Sequence, residues 1–546
     1  MNFDLPGTGT DQSPVFLNAA DCRAWLARLP LANAAQAQPM ISHQLNLLHR
    51  FALPPTERFA ILESLRGPLS EVQDLAARTF AGKPLPLEPH EQAALDGTLA
   101  VWHLLALGYL RCFAALCVAD EGMAPAPALL AQRTLSVFAD WQVDLCRGEQ
   151  LPDASYWNKL HQVFSAAEVL GIAARSVSDP VRHGNVPTSA LAAYGECNLL
   201  NTANLYELPA RHLAWVARWA RRWGAKLALL KTPPEDIGNR AVPLWVDLDS
   251  DRPATYVPQS ATGGRWLDTT ELRKSLLARI ALLEQGRAPA ELQLGDDVTQ
   301  PAAGQLLQRA LQRWCKGGTP RRFERQVANS ACRLIVGFAA VHYHLSGRQP
   351  FQAHTRDAAT LRREREEFEV FGERRQSGPD TAKLGDSAIE EWQVMDDWRL
   401  LNESIAGLRI SRPIGEGVRV GAGLLIAIKR HDAQRFALAN LRWALREADG
   451  VLAAGIQIFA GEARPVALRT VEPGAARGSW QQGFLLPGIA VPDEPPSIVA
   501  PAGTFRIERD IEVMVDQQAR VFRLLRLLDL GLEFERCSMQ AGDSNR

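Results

Sequence analysis

The stretch LLNESIAGLRI, residues 400–410, lies in the carboxyl-terminal part of this chain, where strand patterns replace helical ones after about residue 294. Asn402 and Ser404 occupy alternate positions of a predicted strand, so their side chains point the same way. Gly407 permits a tight turn or a close backbone approach to a ligand. The amide and the hydroxyl together offer hydrogen-bond donors and acceptors. The N-x-S-x-x-G pattern is therefore a candidate binding segment, although such residues often only make turns.

A second segment, RRFER at 321–325, comes just before the apolar stretch 331–345, which we predict to be a strand. Arg321 and Arg325 flank a charged turn, and Arg322 adds a third guanidinium. A guanidinium group can hold phosphate oxygens bidentately, pair with guanine O6 and N7, or stack on a purine. An arginine cluster alone is usually a solvated turn. Arginines on one side and short polar groups on the other suit a purine ligand that carries phosphates.

The later segments complete an ordered pattern: GLLIAIK at 423–429, RFALANLRWAL at 435–445 and GIQIF at 455–459. Over roughly 315–465, this order resembles the PilZ-domain family, whose members are small antiparallel barrels. They bind cyclic di-GMP through an R-x-x-x-R motif and a D/N-x-S-x-x-G motif. Arg321 and Arg325 match the first motif.

The resemblance implies a cyclic di-GMP site in which the arginines bind phosphates and guanine and the Asn402–Ser404 strand cradles another guanine. The ligand would bind as one molecule or as an intercalated dimer. We expect neither a cofactor nor a metal at the site. The predicted ligand-binding residues are Arg321, Arg322, Arg325, Asn402, Ser404 and Gly407.

The whole chain is predicted to be a multidomain α+β protein, with an all-α amino-terminal domain, a PilZ-type antiparallel β-barrel and a second small barrel-like region. Apolar residues recur at helical spacing from about residue 18, and we expect Pro68 to interrupt the helix that starts near Pro54. The predicted ranges are a flexible leader at 1–17, helices at 18–290, the PilZ-like barrel at 295–465 with a charged flexible insertion at 347–396, and a further β-rich region at 466–540.

Composition argues against several classes of protein. The chain has 546 residues, 47% hydrophobic, with a formal net charge of −1, which does not indicate affinity of the whole chain for nucleic acid or membranes. The amino terminus lacks the features of a signal peptide. Eight cysteines without a CxxC pair are typical of reduced thiols in a cytosolic protein. Because it contains His103 and Arg111, the apolar stretch 99–119 is interpreted as a buried helix of a soluble bundle.

Signatures of catalysis are missing, since the sequence contains no GxSxG, HExxH or GxxxxGK[ST] pattern. His342 and His344 would share one face of the predicted strand 331–345 and could bind a metal, but no third ligand is apparent. The sequence therefore predicts no catalytic residues and no metal site.

The favoured hypothesis is a cytoplasmic bacterial cyclic di-GMP receptor that relays the level of this messenger to a protein partner, through the helical domain. The regulated process would be motility, pili, secretion or exopolysaccharide production. The alternative is a protein-interaction scaffold with a degenerate barrel that binds no nucleotide. A third hypothesis, an undetected hydrolase, requires a deep pocket with perturbed acids within 18–290.

Overall fold

The computed structural model describes residues 3, 5, 7, 9, 12–116, 126–234, 240–259, 264–318, 324–351, 394–415, 417–447, 450–471, 478–490 and 494–542. The chain divides into two compact units, which are described separately below. The helical unit comprises Met1–Lys83 and Leu87–Arg321, and the barrel unit comprises Pro84–Pro86 and Arg322–Arg546.

Helices dominate the helical unit, and several begin at side-chain caps. Asn18, Asp153 and Ser189 each accept a hydrogen bond from the backbone three residues on, which is the usual way to satisfy a free N–H at a helix start. The helices are α1 Ala19–Leu26, α2 Ala34–Arg50, α3 Pro55–Phe80, α4 Pro89–Leu116, α5 Pro127–Arg147, α6 Ala154–Val169, α7 Pro180–His183, α8 Ala190–Thr202, α9 Ala210–Trp223, α10 Thr270–Glu284 and α11 Ala302–Cys315.

Helix α3 corrects one expectation, because it continues through Pro68 without a break. Leu65, Leu69 and Val72 lie on either side of the proline and are all buried in the core. A proline inside a helix removes one backbone hydrogen bond. Burial of the same apolar stripe before and after it outweighs that loss here.

Helix α4 contains most of the apolar stretch 99–119. Among the described residues, it is the one helix long and apolar enough to cross a membrane, over Pro89–Ala115, and most of its apolar window is buried inside the structure. Trp102, Tyr109 and Phe113 belong to the core of the helical unit. This burial is typical of a core helix.

A small antiparallel sheet inserts between α9 and α10. Its strands are β1 Ala228–Leu230, β2 Leu244–Asp247 and β3 Gly264–Asp268, in the order β1-β3-β2. The apolar segment AVPLWVDLD at 241–249 predicts β2, and Leu244 and Val246 are buried as expected for a strand packed on the helices.

The first barrel of the barrel unit is closed and antiparallel, with strand order β4-β5-β6-β9-β8-β7. Alternate residues such as Leu334, Leu408 and Leu441 are fully buried and fill its interior. Its strands are β4 Gln326–Val336, β5 Asp396–Ser404, β6 Gly407–Pro413, β7 Leu425–Arg430, β8 Ala437–Arg446 and β9 Val451–Ile458.

The second barrel is also closed and six-stranded, with strand order β10-β11-β12-β15-β14-β13. The prediction of a second small barrel after the PilZ-like region is therefore confirmed. Its strands are β10 Arg464–Val471, β11 Gln481–Leu486, β12 Ser497–Pro501, β13 Asp510–Val515, β14 Gln518–Leu530 and β15 Phe534–Ala541.

The predicted strand 331–345 is wrong in its second half. Strand β4 ends at Val336, and helix α12, Phe338–Leu345, follows. Gly337 has φ +97°, a left-handed conformation that breaks the strand and that glycine adopts readily. A short apolar run does not distinguish a strand from a buried helix, which explains the error.

Helix α12 packs into an apolar cluster shared by both barrels. The cluster joins Leu425 of the first barrel to Phe484 of the second, and Phe338 contacts Phe484 with ring centroids 5.3 Å apart. His342 is buried on this helix, and its Nε2 lies 3.4 Å from the Val466 carbonyl oxygen. The two histidines therefore do not share a strand face.

The domain ranges given by the sequence stay predictions. In the structure, Phe3 and Phe16 of the expected leader are buried in the helical core, and α11 belongs to the helical unit. Most of the expected charged insertion, 352–393, lies outside the described residues.

Candidate ligand-binding site

The N-x-S-x-x-G segment forms the β5–β6 hairpin of the first barrel. Ser404 ends β5, Gly407 begins β6, and residues 405 and 406 make the turn. The Ser404 hydroxyl donates a hydrogen bond to the Gly407 carbonyl oxygen at 3.1 Å, which stabilises the turn. A Cβ on Gly407 would lie 2.9 Å from the Ile456 carbonyl oxygen of β9. Glycine is therefore required here for the close approach of two strands.

Asn402 carries a buried hydrogen-bond acceptor that none of the described residues uses. Its backbone pairs with Val327 on one side and Arg409 on the other. Its Oδ1 atom is buried and has no hydrogen-bond partner among the described residues. Leaving such an acceptor unsatisfied costs about 1–3 kcal/mol, so a donor brought to this position would be stabilised.

Strand register brings the polar motif residues to one side of the sheet. Paired residues of antiparallel strands share a face. One row across the sheet runs Asn402–Arg409–Gly455–Trp443, and the next runs Ser404–Gly407–Gln457. Intervening residues such as Leu408 and Ile456 are buried inside the barrel, so both rows lie on its outer face.

Arg409 and Trp443 join the site through this register, and the sequence motifs did not include them. A Cβ on Gly455 would overlap the Trp443 indole, so the ring lies directly over that glycine. Arg409 forms an ion pair with Glu447 at the edge of the same face. Arg409 lies two positions beyond the N-x-S-x-x-G motif and Trp443 lies 41 positions from Asn402, so only pairing across four strands shows that they share the site.

Arg325 lies where the chain enters β4. It is exposed, and the next residue, Gln326, pairs with Glu403 of β5. Arg325 is therefore at the level of Ser404 along the neighbouring strand. Arg321 and Arg322 lie outside the described residues and stay sequence predictions.

Glu403 stands between Asn402 and Ser404, and its charge is already compensated. Its Oε2 accepts from the Arg430 guanidinium at 2.8 Å. It pairs across the sheet with Leu408, which faces the interior, so it lies on the other face from the motif side chains. Both features reduce its repulsion of a phosphate ligand on the outer face.

Three described residues are close enough together to hold a metal ion, but the contact that they make is typical of a helix start. Glu88, His90 and Glu91 lie close enough together to hold an ion. Glu91 accepts a hydrogen bond from the Glu88 backbone N–H at 2.8 Å, at the start of α4. The arrangement is that of a capping box, which satisfies free groups at a helix start.

Three family models match this chain, one after another. The model described as "Cyclic-di-GMP receptor FimW, N-terminal domain" matches residues 20–235, "Cyclic-di-GMP receptor FimW, middle PilZ domain" matches 244–396, and "FimW C-terminal beta-barrel domain" matches 466–541. The middle match ends where β5 begins, so the N-x-S-x-x-G hairpin lies beyond it.

A curated relative matches nearly the whole chain. The cyclic-di-GMP receptor FimW of Pseudomonas aeruginosa is 23% identical over 555 residues, covering 94% of this chain and 89% of the relative. These descriptions name a receptor and not an enzyme. The order of helical region, PilZ domain and second barrel agrees with the fold described above. The chain therefore belongs to the PilZ-domain family, with FimW-type helical and carboxyl-terminal barrel domains on either side of its PilZ domain.

Proposed function

We propose that this protein is a cyclic di-GMP receptor that binds its ligand on the outer face of the first barrel, beside the β5–β6 hairpin. The observation that carries the proposal is the shared face of Asn402, Ser404 and Gly407 next to the entry of Arg325. The likeness to a relative named as a cyclic di-GMP receptor supports the choice of ligand.

The chemistry of guanine fits the groups on this face. The Watson–Crick edge of guanine carries N–H donors, and Asn402 Oδ1 is a buried acceptor with no partner among the described residues. Guanine O6 and N7 are acceptors suited to an arginine fork, as are the phosphates of the ligand. Arg325 supplies one such fork, and Arg321 and Arg322 would supply two more. The Trp443 ring adds a flat apolar surface on which a base can stack.

The finer role that we propose is a cytoplasmic adaptor, which passes the ligand signal to a protein partner in motility, pili, secretion or exopolysaccharide production. We propose that the effect of ligand binding is transmitted through β4. This strand begins directly after the arginine segment and leads into α12, which packs against both barrels. Binding can shift this assembly only if the ligand prefers one of two arrangements. Hydrogen exchange in α12 should then fall when ligand is added, and unchanged exchange there would argue against this route.

Calorimetric titration of the full chain tests the ligand assignment. We expect cyclic di-GMP to bind with a dissociation constant of about 10 μM or tighter. Cyclic di-AMP is the matched control, because adenine lacks the N1–H and N2 amino donors that guanine offers to Asn402 Oδ1, and it has an N6 amino donor where guanine has the O6 acceptor. Absence of heat with cyclic di-GMP would favour the scaffold with a degenerate barrel. Equal affinity for both dinucleotides would contradict guanine recognition at Asn402.

A further inference from the structure

A polar row on the outer face of the first barrel extends beyond the motif hairpin. Strand register pairs Gly407 of β6 with Gln457 of β9, and Gln457 in turn with Asn440 of β8. Since Ser404 pairs with Gly407 on the other side, the row runs Ser404–Gly407–Gln457–Asn440. Paired residues of neighbouring antiparallel strands share a face. The face that carries the motif therefore continues across two further strands with two side-chain amides.

The two amides of this row differ in burial. Asn440 is 2% exposed, and its Oδ1 is buried with no hydrogen-bond partner among the described residues. Gln457 is only half-buried, so a ligand on the outer face can reach it. Directly opposite residues have Cβ atoms about 4.5–5.5 Å apart, which lets the Gln457 amide reach the Asn440 acceptor. A donor at this acceptor would remove the cost of an unsatisfied buried group.

Gln457 also lies beside the aromatic surface of the site. The Trp443 indole covers Gly455, which is two residues before Gln457 on β9 and on the same face. Alternate residues of a strand are about 7 Å apart, so a base stacked on Trp443 has an edge within reach of Gln457. Asn402 lies two strands from Gly455, or about 10 Å, and is left for a different base.

We propose that Gln457 contacts the second guanine of cyclic di-GMP, stacked on Trp443, and that Asn440 orients the Gln457 amide. This inference rests on the proposed function and adds two residues that neither sequence motif includes. One N–H of the Gln457 amide donates to Asn440 Oδ1. The other N–H and Oε1 then face the base, where they match the adjacent O6 acceptor and N1–H donor of guanine. Asn440 is therefore a positioning residue, and Gln457 touches the ligand.

Calorimetric titration of cyclic di-GMP into full-length Gln457→Leu tests the contact. We expect affinity to fall at least tenfold, because the base edge loses both of its partners. Gln482→Leu is the matched control, since Gln482 is also half-buried but lies on β11 of the second barrel, and it should bind like the wild type. If the wild type binds and both variants match it, the inference is overturned while the proposed function stands. If the wild type does not bind, both are overturned.

Asn440→Leu, alone and combined with Gln457→Leu, tests the positioning role. Leucine has nearly the shape of asparagine without its polar atoms, so the barrel should stay folded in thermal unfolding. Because Asn440 acts through Gln457, Asn440→Leu should weaken cyclic di-GMP binding by about threefold or more in the wild type and have no further effect once Gln457 is replaced. Losses that add in the double variant, or no loss in Asn440→Leu alone, would refute the positioning role.

Discussion

Asn402 lowers the stability of the barrel and, in our proposal, contributes to ligand binding. A buried acceptor with no partner among the described residues weakens the folded state, and we propose that the ligand supplies the missing donor. Leucine has nearly the shape of asparagine without its polar atoms. Asn402→Leu should therefore leave the stability of the barrel unchanged or raise it by about 1 kcal/mol. It should also weaken cyclic di-GMP binding at least tenfold, as measured by calorimetry.

Asn198 provides the control for that substitution. Its Oδ1 is also buried without a partner among the described residues, but it lies on α8 of the helical unit and not on the first barrel. Asn198→Leu should leave ligand affinity within a factor of two. A parallel loss of affinity in both variants would show that Asn402 does not contact the ligand.

Gly407 gives a second test at this scale. An alanine Cβ would press on the Ile456 carbonyl oxygen, and backbone cannot move aside easily. Gly407→Ala should destabilise the barrel unit by about 1–3 kcal/mol in thermal or denaturant unfolding. Gly304→Ala in α11 is the contrast, because an added Cβ there makes only an ordinary contact, at 3.4 Å, with the flexible side chain of Gln300. That substitution should raise helix stability by about 0.5–1 kcal/mol, and the opposite order of the two would refute this explanation of Gly407.

Much of the candidate site could be predicted at the residue scale, because the N-x-S-x-x-G spacing has a direct geometric meaning. Alternation along a strand put Asn402 and Ser404 on one side, and the structure has them there. Arg409 and Trp443 could not be found in this way. Their place depends on which strands pair, and a bulge between Leu441 and Trp443 sets which residue faces the site.

Tertiary contacts decide the secondary structure of two elements, α12 and α3, against the preference of their local sequence. The strand predicted through residue 345 failed because Gly337 and contacts with both barrels, neither visible in a short apolar run, turn the chain into a helix. Helix α3 continues through Pro68 for a related reason, since packing overrides a local preference. Element type is thus least predictable where tertiary contacts dominate.

The Arg66–Asp179 pair ties α3 to the segment before α7. Asp179 is fully buried, lies 2.9 Å from Arg66 and also accepts from Gln132. Asp179→Asn would leave the buried guanidinium of Arg66 with only the longer ion pair to Glu63, at 3.6 Å, and should destabilise the helical unit by about 3 kcal/mol. Asp74→Asn, which removes an exposed partner of Arg147, should change stability by less than about 1 kcal/mol in the same unfolding assay. Similar losses in both would contradict the importance of burial.

The buried histidine His49 should make the stability of the protein sensitive to mild acidification. Burial, followed by the charges of Arg111 and Arg58, lowers the pKa of His49 to about 4. Between pH 6.5 and 4 the unfolded chain takes up a proton that the folded protein does not, so stability falls as the pH falls. The contribution of His49 between pH 7 and 5 is about 2 kcal/mol.

Thermal unfolding at pH 7 and pH 5 measures this effect. His49→Leu should show a smaller loss of stability between the two values than the wild type, whereas His90→Gln, at an exposed position, should behave like the wild type. The carboxylate of Asp179 does not interfere, because Arg66 and Arg133 hold its pKa below the ordinary value and it titrates at lower pH. An unchanged acid sensitivity in His49→Leu would refute the assignment.

At the scale of the molecule, the order of a helical region and two β-rich regions was readable from the sequence, because periodicity changes along the chain. A second barrel-like region was predicted as well, but the strand pairing that closes it was not, because it joins strands that are distant in the sequence. The pairing of β10 with β13 closes it. No functional motif was found in the sequence of the helical unit.

Titration of cyclic di-GMP into Arg325→Ala and Arg333→Ala tests the proposed receptor function at its key contact. Both arginines are exposed, but Arg325 precedes β4 beside the motif hairpin, whereas Arg333 lies farther along that strand and near Asp397. We predict that Arg325→Ala weakens binding at least tenfold, about 1.4 kcal/mol, and that Arg333→Ala matches the wild type. Equal affinity of the two variants, or no binding by the wild type, would contradict it.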